Sequence, residues 1–198
     1  MSLTKYNSKR NFGVTPEPTG KKGAAKAHLT FVVQRHHASH LHYDFRLELN
    51  GTLKSWAVPK GPSLNPKDKR LAMMVEDHPI DYASFEGDIP EGNYGAGHVD
   101  VWDHGTYEPI DEEGNLISPT AFNKNLHAGT IKFRMKGKHL KGDFALVHMK
   151  KDEKTWLLIK HRDKYATDEE YTSEDYAEKS SLAYTAMRNK DKPAVKKK

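Results

Sequence analysis

The sequence predicts a mainly β protein: a compact, mostly antiparallel β barrel with few short helices and extended basic termini. Three observations predict it. Apolar and polar residues alternate with period two in run after run, which places successive side chains on opposite faces of strands. Gly, Pro and Asn cluster between those runs at short spacing, as turns between antiparallel neighbours do. No internal repeat is visible and only one short segment near the end reads as helical, so a sheet closed on itself best buries one face of each strand.

Taken in order, residues 1–28 contain Pro16, Pro18, Gly20, Gly23 and several lysines without an apolar period, and they predict an extended basic arm. Within it, RNFGVTPEP (10–18) differs in texture. Phe12 and Val14 offer a way to pin it to the body and bring Arg10 and Glu17 to a site, and a free tail is the alternative. The barrel is expected over 29–168. Residues 28–35 (HLTFVVQR) read as a first strand, and 40–50 alternates without a break. That second strand ends at Asn50-Gly51, the strongest short hairpin signal, because a type I′ turn needs positive φ at both central residues. The return strand, 52–58, then sets Phe45 opposite Trp56, Asp44 opposite Ala57 and Arg46 opposite Ser55. Small residues flank the polar side of the strand and leave room for a ligand. Pro59-Lys60-Gly61-Pro62 closes the hairpin and is expected to hold Lys60 at the site's mouth.

Further on, 70–78 (RLAMMVEDH) alternates with Arg70, Ala72, Met74, Glu76 and His78 on one side. A turn-rich stretch with Tyr82 follows, then a strand at 98–103 expected to end in a turn at Gly105. Residues 108–128 read as an irregular loop with room for one short helix. Two strands follow Gly129, and TWLLIKHRD (155–163) supplies another. The final segment, 169–198, is read as a C-terminal helix capped by Thr172 or Ser173, with Glu174 and Asp175 in its first turn, and a basic tail.

The charge is unevenly placed. Residues 1–28 and 184–198 each hold six Lys/Arg against one acidic residue, so a chain of formal charge +5 has a body of −5. Basic tails suit nucleic-acid backbones, through displaced counterions, and also serve as plain solubilising termini. There is no cysteine, which excludes disulfides and thiolate metal sites and favours an intracellular home. No apolar run is long enough to cross a bilayer, and the start lacks the apolar region of a signal peptide.

The chemistry concentrates on the second strand. His40, His42, Asp44, Arg46, Glu48 and Asn50 share one face against Leu41, Tyr43, Phe45, Leu47 and Leu49 on the other. A plain solvent face is richer in Lys, Glu, Thr and Ser. His42-x-Asp44, with His36 expected on a short loop upstream, offers two imidazoles and a carboxylate to a divalent metal that prefers N and O donors. Arg46, Lys60, Arg70 and His78 are the fixed cations a phosphoryl group requires. The same ligand set also suits a non-haem iron oxygenase, for which one arginine would suffice. A non-catalytic nucleic-acid-binding barrel that uses its tails and polar face is the third possibility. His98-x-Asp100 reads as strand surface, and EGNYGAGH (91–98) as a turn that matches no phosphate-loop spacing.

The runs FVVQRHHASHLHYDFRLELNGTLKSWAVPKGPS, EDHPIDYASFEGDIPEGNYGAG and VWDHGTYEP, with WLLIKHRD later, resemble the 3′-phosphoesterase domain of bacterial DNA ligase D, over roughly residues 10–165. With no ligase or polymerase module in the sequence, the resemblance is to the stand-alone form. It implies a compact β barrel and Mn²⁺-dependent healing of DNA 3′ ends in end joining, with other divalent transition metals as options. A terminal ribonucleoside is removed first and the resulting 3′-phosphate second. The implied metal ligands are His36, His42 and Asp44. Arg46 and His78 would contact the scissile phosphate, Lys60, Arg70 and Tyr82 would line the pocket, and Gln34 would support it. His78 as imidazolium, aided by Tyr82, is the expected proton donor. Arg10 and Glu17 match an amino-terminal element in which the family's Asp is here Asn11, a change expected to weaken one of the two reactions. The implied partners are primer-template or duplex 3′ ends carrying a ribonucleotide or phosphate, a separate DNA ligase and a polymerase. The implied location is the prokaryotic cytoplasm, at the nucleoid.

Overall fold

The computed structural model describes residues 3–24, 28–150 and 152–181. The basic tail expected at 184–198 lies outside the described residues. Nine strands form one antiparallel sheet: β1 (Thr30–His37), β2 (Leu41–Leu49), β3 (Thr52–Val58), β4 (Lys69–Met74), β5 (Gly87–Ile89), β6 (Gly97–Ile110), β7 (Thr130–Gly137), β8 (Lys141–His148) and β9 (Thr155–Lys160). They run in the order β1-β2-β3-β4-β9-β8-β7-β6-β5, and β1 also pairs with β6. Eight strands therefore close into the predicted barrel, and β5 hangs on the outside of β6.

The β2–β3 hairpin has the register expected from its two-residue loop. Phe45 pairs with Trp56, Asp44 with Ala57 and Arg46 with Ser55. Asn50 and Gly51 take φ of 55° and 79°, as a type I′ turn requires. Two boundaries differ from expectation and matter for the site. β1 continues through His36 and His37, so His36 is a strand residue opposite His42 rather than part of a loop. β6 runs on through Gly105 to Ile110 and pairs with both β1 and β7, which is what closes the barrel. Gly105 marks a close approach: a Cβ there would stand 2.2 Å from the Lys136 carbonyl oxygen.

The core fills the barrel with aromatic rings, including Trp56 against Trp156 at 5.9 Å and Phe133 stacked on Phe144 at 6.3 Å. Each such side chain contributes about 1.5–3 kcal/mol on burial. At the Leu49 end, helix α2 (Pro119–Ala128) inserts Phe122 and Leu126 into this core, with Ser118 as N-cap and Gly129 as left-handed C-cap. The opposite end is closed by 171–181. Thr172 caps as expected; a 3₁₀ turn follows (Ser173–Tyr176), and the chain is helical again at 179–181, where the described residues end. Glu174 there bonds Arg35 through both carboxylate oxygens (2.8 and 2.9 Å) and also accepts from Tyr43 Oη.

Outside the barrel, a second small cluster joins Tyr6, Val32, Leu53 and Tyr82, with Phe12 packed against it. It pins the amino-terminal arm across the outer face of β1–β3. The arm is less extended than expected, since it includes a short helix α1 (Leu3–Ser8) whose Tyr6 is buried. Phe12 shares in the pinning, whereas Val14 is 55% exposed and does not. Among the described residues no helix is long and apolar enough to cross a membrane.

Candidate active site

The site lies on the outer face of β1 and β2, under the arm, the 3₁₀ helix Ile80–Ser84 and the turn at 91–96. Its pocket of about 260 Å³ is lined by Arg10, Glu17, His36, His42, Asp44 and Arg46, with Glu76, His78, Tyr82 and Tyr94 completing the wall. Strand pairing assembles the ligands. His36 stands opposite His42 and Gln34 opposite Asp44, so the period-two face of β2 continues onto β1.

One nitrogen or oxygen from each of His36, His42 and Asp44 lies within 4.8 Å of the others. Backbone carbonyls set both imidazoles. His36 Nε2–H donates to the Gly95 carbonyl at 2.9 Å and His42 Nδ1–H to the His40 carbonyl at 3.0 Å. The remaining nitrogens, His36 Nδ1 and His42 Nε2, face Asp44 at 3.5 and 3.7 Å. With those carbonyl bonds made, His36 Nδ1 and His42 Nε2 are the ring positions left for a ligand beside the Asp44 carboxylate, an arrangement that suits a bound cation. Two nitrogens and a carboxylate fit a divalent transition metal with open positions. Burial pushes the Asp44 carboxyl up, but the Arg46 guanidinium and the two imidazoles outweigh it and hold the group well below the usual carboxylate range.

Arg46 is fixed from two sides. Its Nε donates to Gln34 Oε1 at 2.8 Å and its Nη2 to Asp44 Oδ2 at 2.9 Å, while the guanidinium lies 4.9 Å from the centre of the Tyr82 ring. Its Nη1 is buried without a partner. A buried charged donor left unbonded costs free energy, and in a site it marks the place of a ligand oxygen. Gln34 itself is fully buried, donating to the Tyr82 and Phe85 carbonyls, so it supports Arg46 from behind.

The arm completes the wall. Arg10 donates to Glu17 at 2.8 Å and Glu76 at 3.3 Å, and lies over the Tyr6 ring at 3.7 Å. Glu17 also accepts from Thr15 Oγ1 and Tyr82 Oη. Burial keeps the Tyr82 hydroxyl protonated, well above its ordinary pKa. At the rim Lys9 pairs with Glu76 at 2.9 Å. Three cations (Lys9, Arg10, Arg46) thus balance three carboxylates (Glu76, Glu17, Asp44). A divalent ion would raise the total to +2, the complement of a phosphate monoester carrying about −1.5 to −2.

His78 corrects an expectation. A guanidinium only donates, so at 3.3 Å from Arg10 Nη2 the His78 Nε2 is the acceptor, and Nδ1–H donates to the Glu76 carbonyl at 2.9 Å. Burial and the nearby Arg46 and Arg10 hold its pKa well below 6.5. His78 is a neutral residue that holds Arg10, and the imidazolium proton donor is not supported.

Lys60 and Arg70 do not join the site. With Tyr43 and Tyr171 they line a separate groove at the barrel end, where Arg70 donates to Asp68 and to the Tyr171 carbonyl. Parity explains this. Arg70 shares the inward side of the buried Ala72, and Lys60 lies on the turn beyond the end of β3 at Val58, so each emerges at the barrel's mouth rather than its outer face. β4 stops at Met74, and His78 reaches the site through a separate bridge to Leu53. Asn11 also stays out: its Oδ1 accepts from Gly13 N at 3.2 Å, a turn bond that asparagine makes as well as aspartate.

Glu76, Tyr94 and the Gly95 carbonyl escaped sequence reasoning. Glu76 was visible only as one strand position among several, and the turn 91–96 carries no motif. His98 pairs with Asp88 and Asp100 on the surface of β6, as a strand-surface residue would.

The sequence profile of the DNA ligase D 3′-phosphoesterase domain matches residues 34–148. The multifunctional non-homologous end joining protein LigD of Pseudomonas aeruginosa is 48% identical over 165 residues, covering 81% of this chain and 19% of that protein. The corresponding DNA repair protein of Mycobacterium tuberculosis is 42% identical over 169 residues, 84% of this chain and 20% of that one. That of Mycolicibacterium smegmatis is 39% identical over 186 residues, 93% of this chain and 24% of that one. The chain thus spans about a fifth to a quarter of the length of these relatives.

Proposed function

This chain belongs to the DNA ligase D 3′-phosphoesterase domain family, and on that footing we propose that it is a metal-dependent hydrolase that heals DNA 3′ ends. In this proposal it removes a 3′-terminal ribonucleoside as a phosphodiesterase, then the 3′-phosphate as a phosphomonoesterase. Its substrates are primer-template or duplex ends in double-strand break repair by end joining, before a separate polymerase and ligase act. The observation that carries the proposal is the convergence of His36, His42 and Asp44 beside an Arg46 whose Nη1 has no partner.

His36, His42 and Asp44 would hold Mn²⁺ or a similar divalent ion, whose contribution is Lewis acidity toward a phosphate oxygen. Arg46 would offer its unpartnered Nη1–H to a non-bridging phosphoryl oxygen and stabilise the charge that develops there. Gln34 and Asp44 hold the guanidinium, so no reorganisation is required when that charge appears. Arg10 adds a second cation, kept in place by Glu17, Glu76 and the acceptor nitrogen of His78. Tyr82, held protonated, is the hydroxyl best placed to donate to a leaving oxygen once it turns from Glu17. The ligand set alone is shared with iron oxygenases; two guanidiniums facing one small pocket favour phosphate.

The test is a labelled primer-template ending in one 3′ ribonucleotide, incubated with Mn²⁺, Mg²⁺ or chelator, for wild type and His42→Ala. Stepwise shortening to a 3′-phosphate and then a 3′-hydroxyl, dependent on metal and on His42, is expected. Intact DNA binding with no metal-dependent product would make the pocket a recognition surface and end the enzyme proposal.

A further inference from the structure

We propose that Tyr94 is the platform on which the base of the 3′-terminal nucleoside stacks, a binding subsite at the mouth of the pocket. The inference deepens the proposed function and rests on it. A pocket of about 260 Å³ lies below the ~300–1,000 Å³ of sites that enclose a whole small ligand. It accommodates a phosphate and part of a sugar, so the base of a terminal nucleoside must rest outside it, at the rim.

Tyr94 is the large aromatic residue at that rim, and it is 48% exposed. Most exposed tyrosines on turns do nothing beyond hydration, but this one is tied to the ligands. The carbonyl of the next residue, Gly95, accepts the His36 Nε2–H bond, so the turn and the metal-facing imidazole share one anchor. The turn itself is closed by Ala96 N–H to the Asn93 carbonyl at 3.1 Å. Lys9 Nζ lies 4.0 Å from the ring centre and the Arg10 guanidinium 5.7 Å. Lys9 thus covers one face of a ring that is still 48% exposed, and an aromatic ring held by a cation beside a phosphate pocket is the combination that binds single-stranded nucleic acid with little regard to base identity. Tyr94 therefore acts on the diesterase step, in which a nucleoside leaves, and has no base to grip once only the phosphate remains.

The experiment is steady-state kinetics with Mn²⁺ on three ends: a 3′ ribonucleoside, the same end as an abasic ribose, and a 3′-phosphate. Tyr94→Ala should raise KM about tenfold on the base-bearing end, the size of one lost stacking contact. The penalty should vanish on the abasic end, and Tyr94→Phe should restore the wild-type KM. Calorimetric Mn²⁺ affinity of Tyr94→Ala should match wild type, separating a lost stack from a displaced Gly95–His36 anchor. An equal penalty on all three ends, or none on the base-bearing end, would overturn the inference while leaving the proposed function standing. Wild-type inactivity on all three would overturn both.

Discussion

Arg35 on β1 and Arg46 on β2 belong to one pair of strands, both almost wholly buried, one turned into the barrel's end and the other out toward the pocket. Arg35 is saturated by the protein. Its Nε and Nη2 grip the two oxygens of Glu174, and its Nη1 donates to Ser181 Oγ at 2.9 Å. Arg46 is held by Gln34 and Asp44 yet keeps Nη1 without a partner. The same side chain is used first to close a barrel and then to wait for a ligand. What separates the two uses is whether the fold spends every donor, not the charge or the burial.

The largest effect should come from Arg46→Lys. The lysine still pairs with Asp44 but lacks the planar fork, so turnover of a 3′-phosphate end should fall about 10²–10³-fold, the cost of one preorganised donor. Thermal unfolding should move little, and a large drop in melting temperature would break the comparison. Arg35→Met should behave in the opposite sense. It removes the guanidinium from Glu174, which keeps Tyr43 and some solvent, and should lower the unfolding free energy by about 2 kcal/mol in denaturant titration, with turnover per folded molecule retained.

Acid should distinguish the outward face more finely. His78 is held neutral in the fold, with a pKa well below the 6.5 it has when unfolded. Protons then bind the unfolded state preferentially, so the stability it contributes is complete above pH 6.5 and is lost as pH falls toward the folded value. The slope should rise from about 0.7 kcal/mol per pH unit at pH 6.5 toward about 1.4 below pH 5.5. Asp44, also lowered, adds its loss only below about pH 4. In urea titrations His78→Asn should flatten the upper part of this profile, and an unchanged slope would place the titrating group elsewhere. The smallest effect should be Asn11→Asp, a turn position whose replacement is expected to change stability by less than about 0.5 kcal/mol. Both hydrolytic activities should stay at their wild-type ratio in product assays, and a shift in that ratio would show that position 11 reaches the chemistry after all.

The sequence by itself determined the barrel class, the β2–β3 hairpin with its register, and the polar face carrying His42, Asp44 and Arg46. These depend on period two and on a turn whose φ requirements only a few residues meet, and both are properties of neighbours in the chain. Only the tertiary structure decided that His36 is a strand partner of His42, that Lys60 and Arg70 leave by the barrel's mouth, and that Arg10, Glu17, Glu76 and Tyr94 complete the pocket. Alternation says that two faces exist without saying which one lies inward when both are buried, as on β1. Nor does it say which distant segment will cover the other. Glu17 and Tyr82, or Arg35 and Glu174, meet across 65 and 139 positions of chain. No local pattern encodes such meetings, because the packing of the whole barrel and its outer layer selects them.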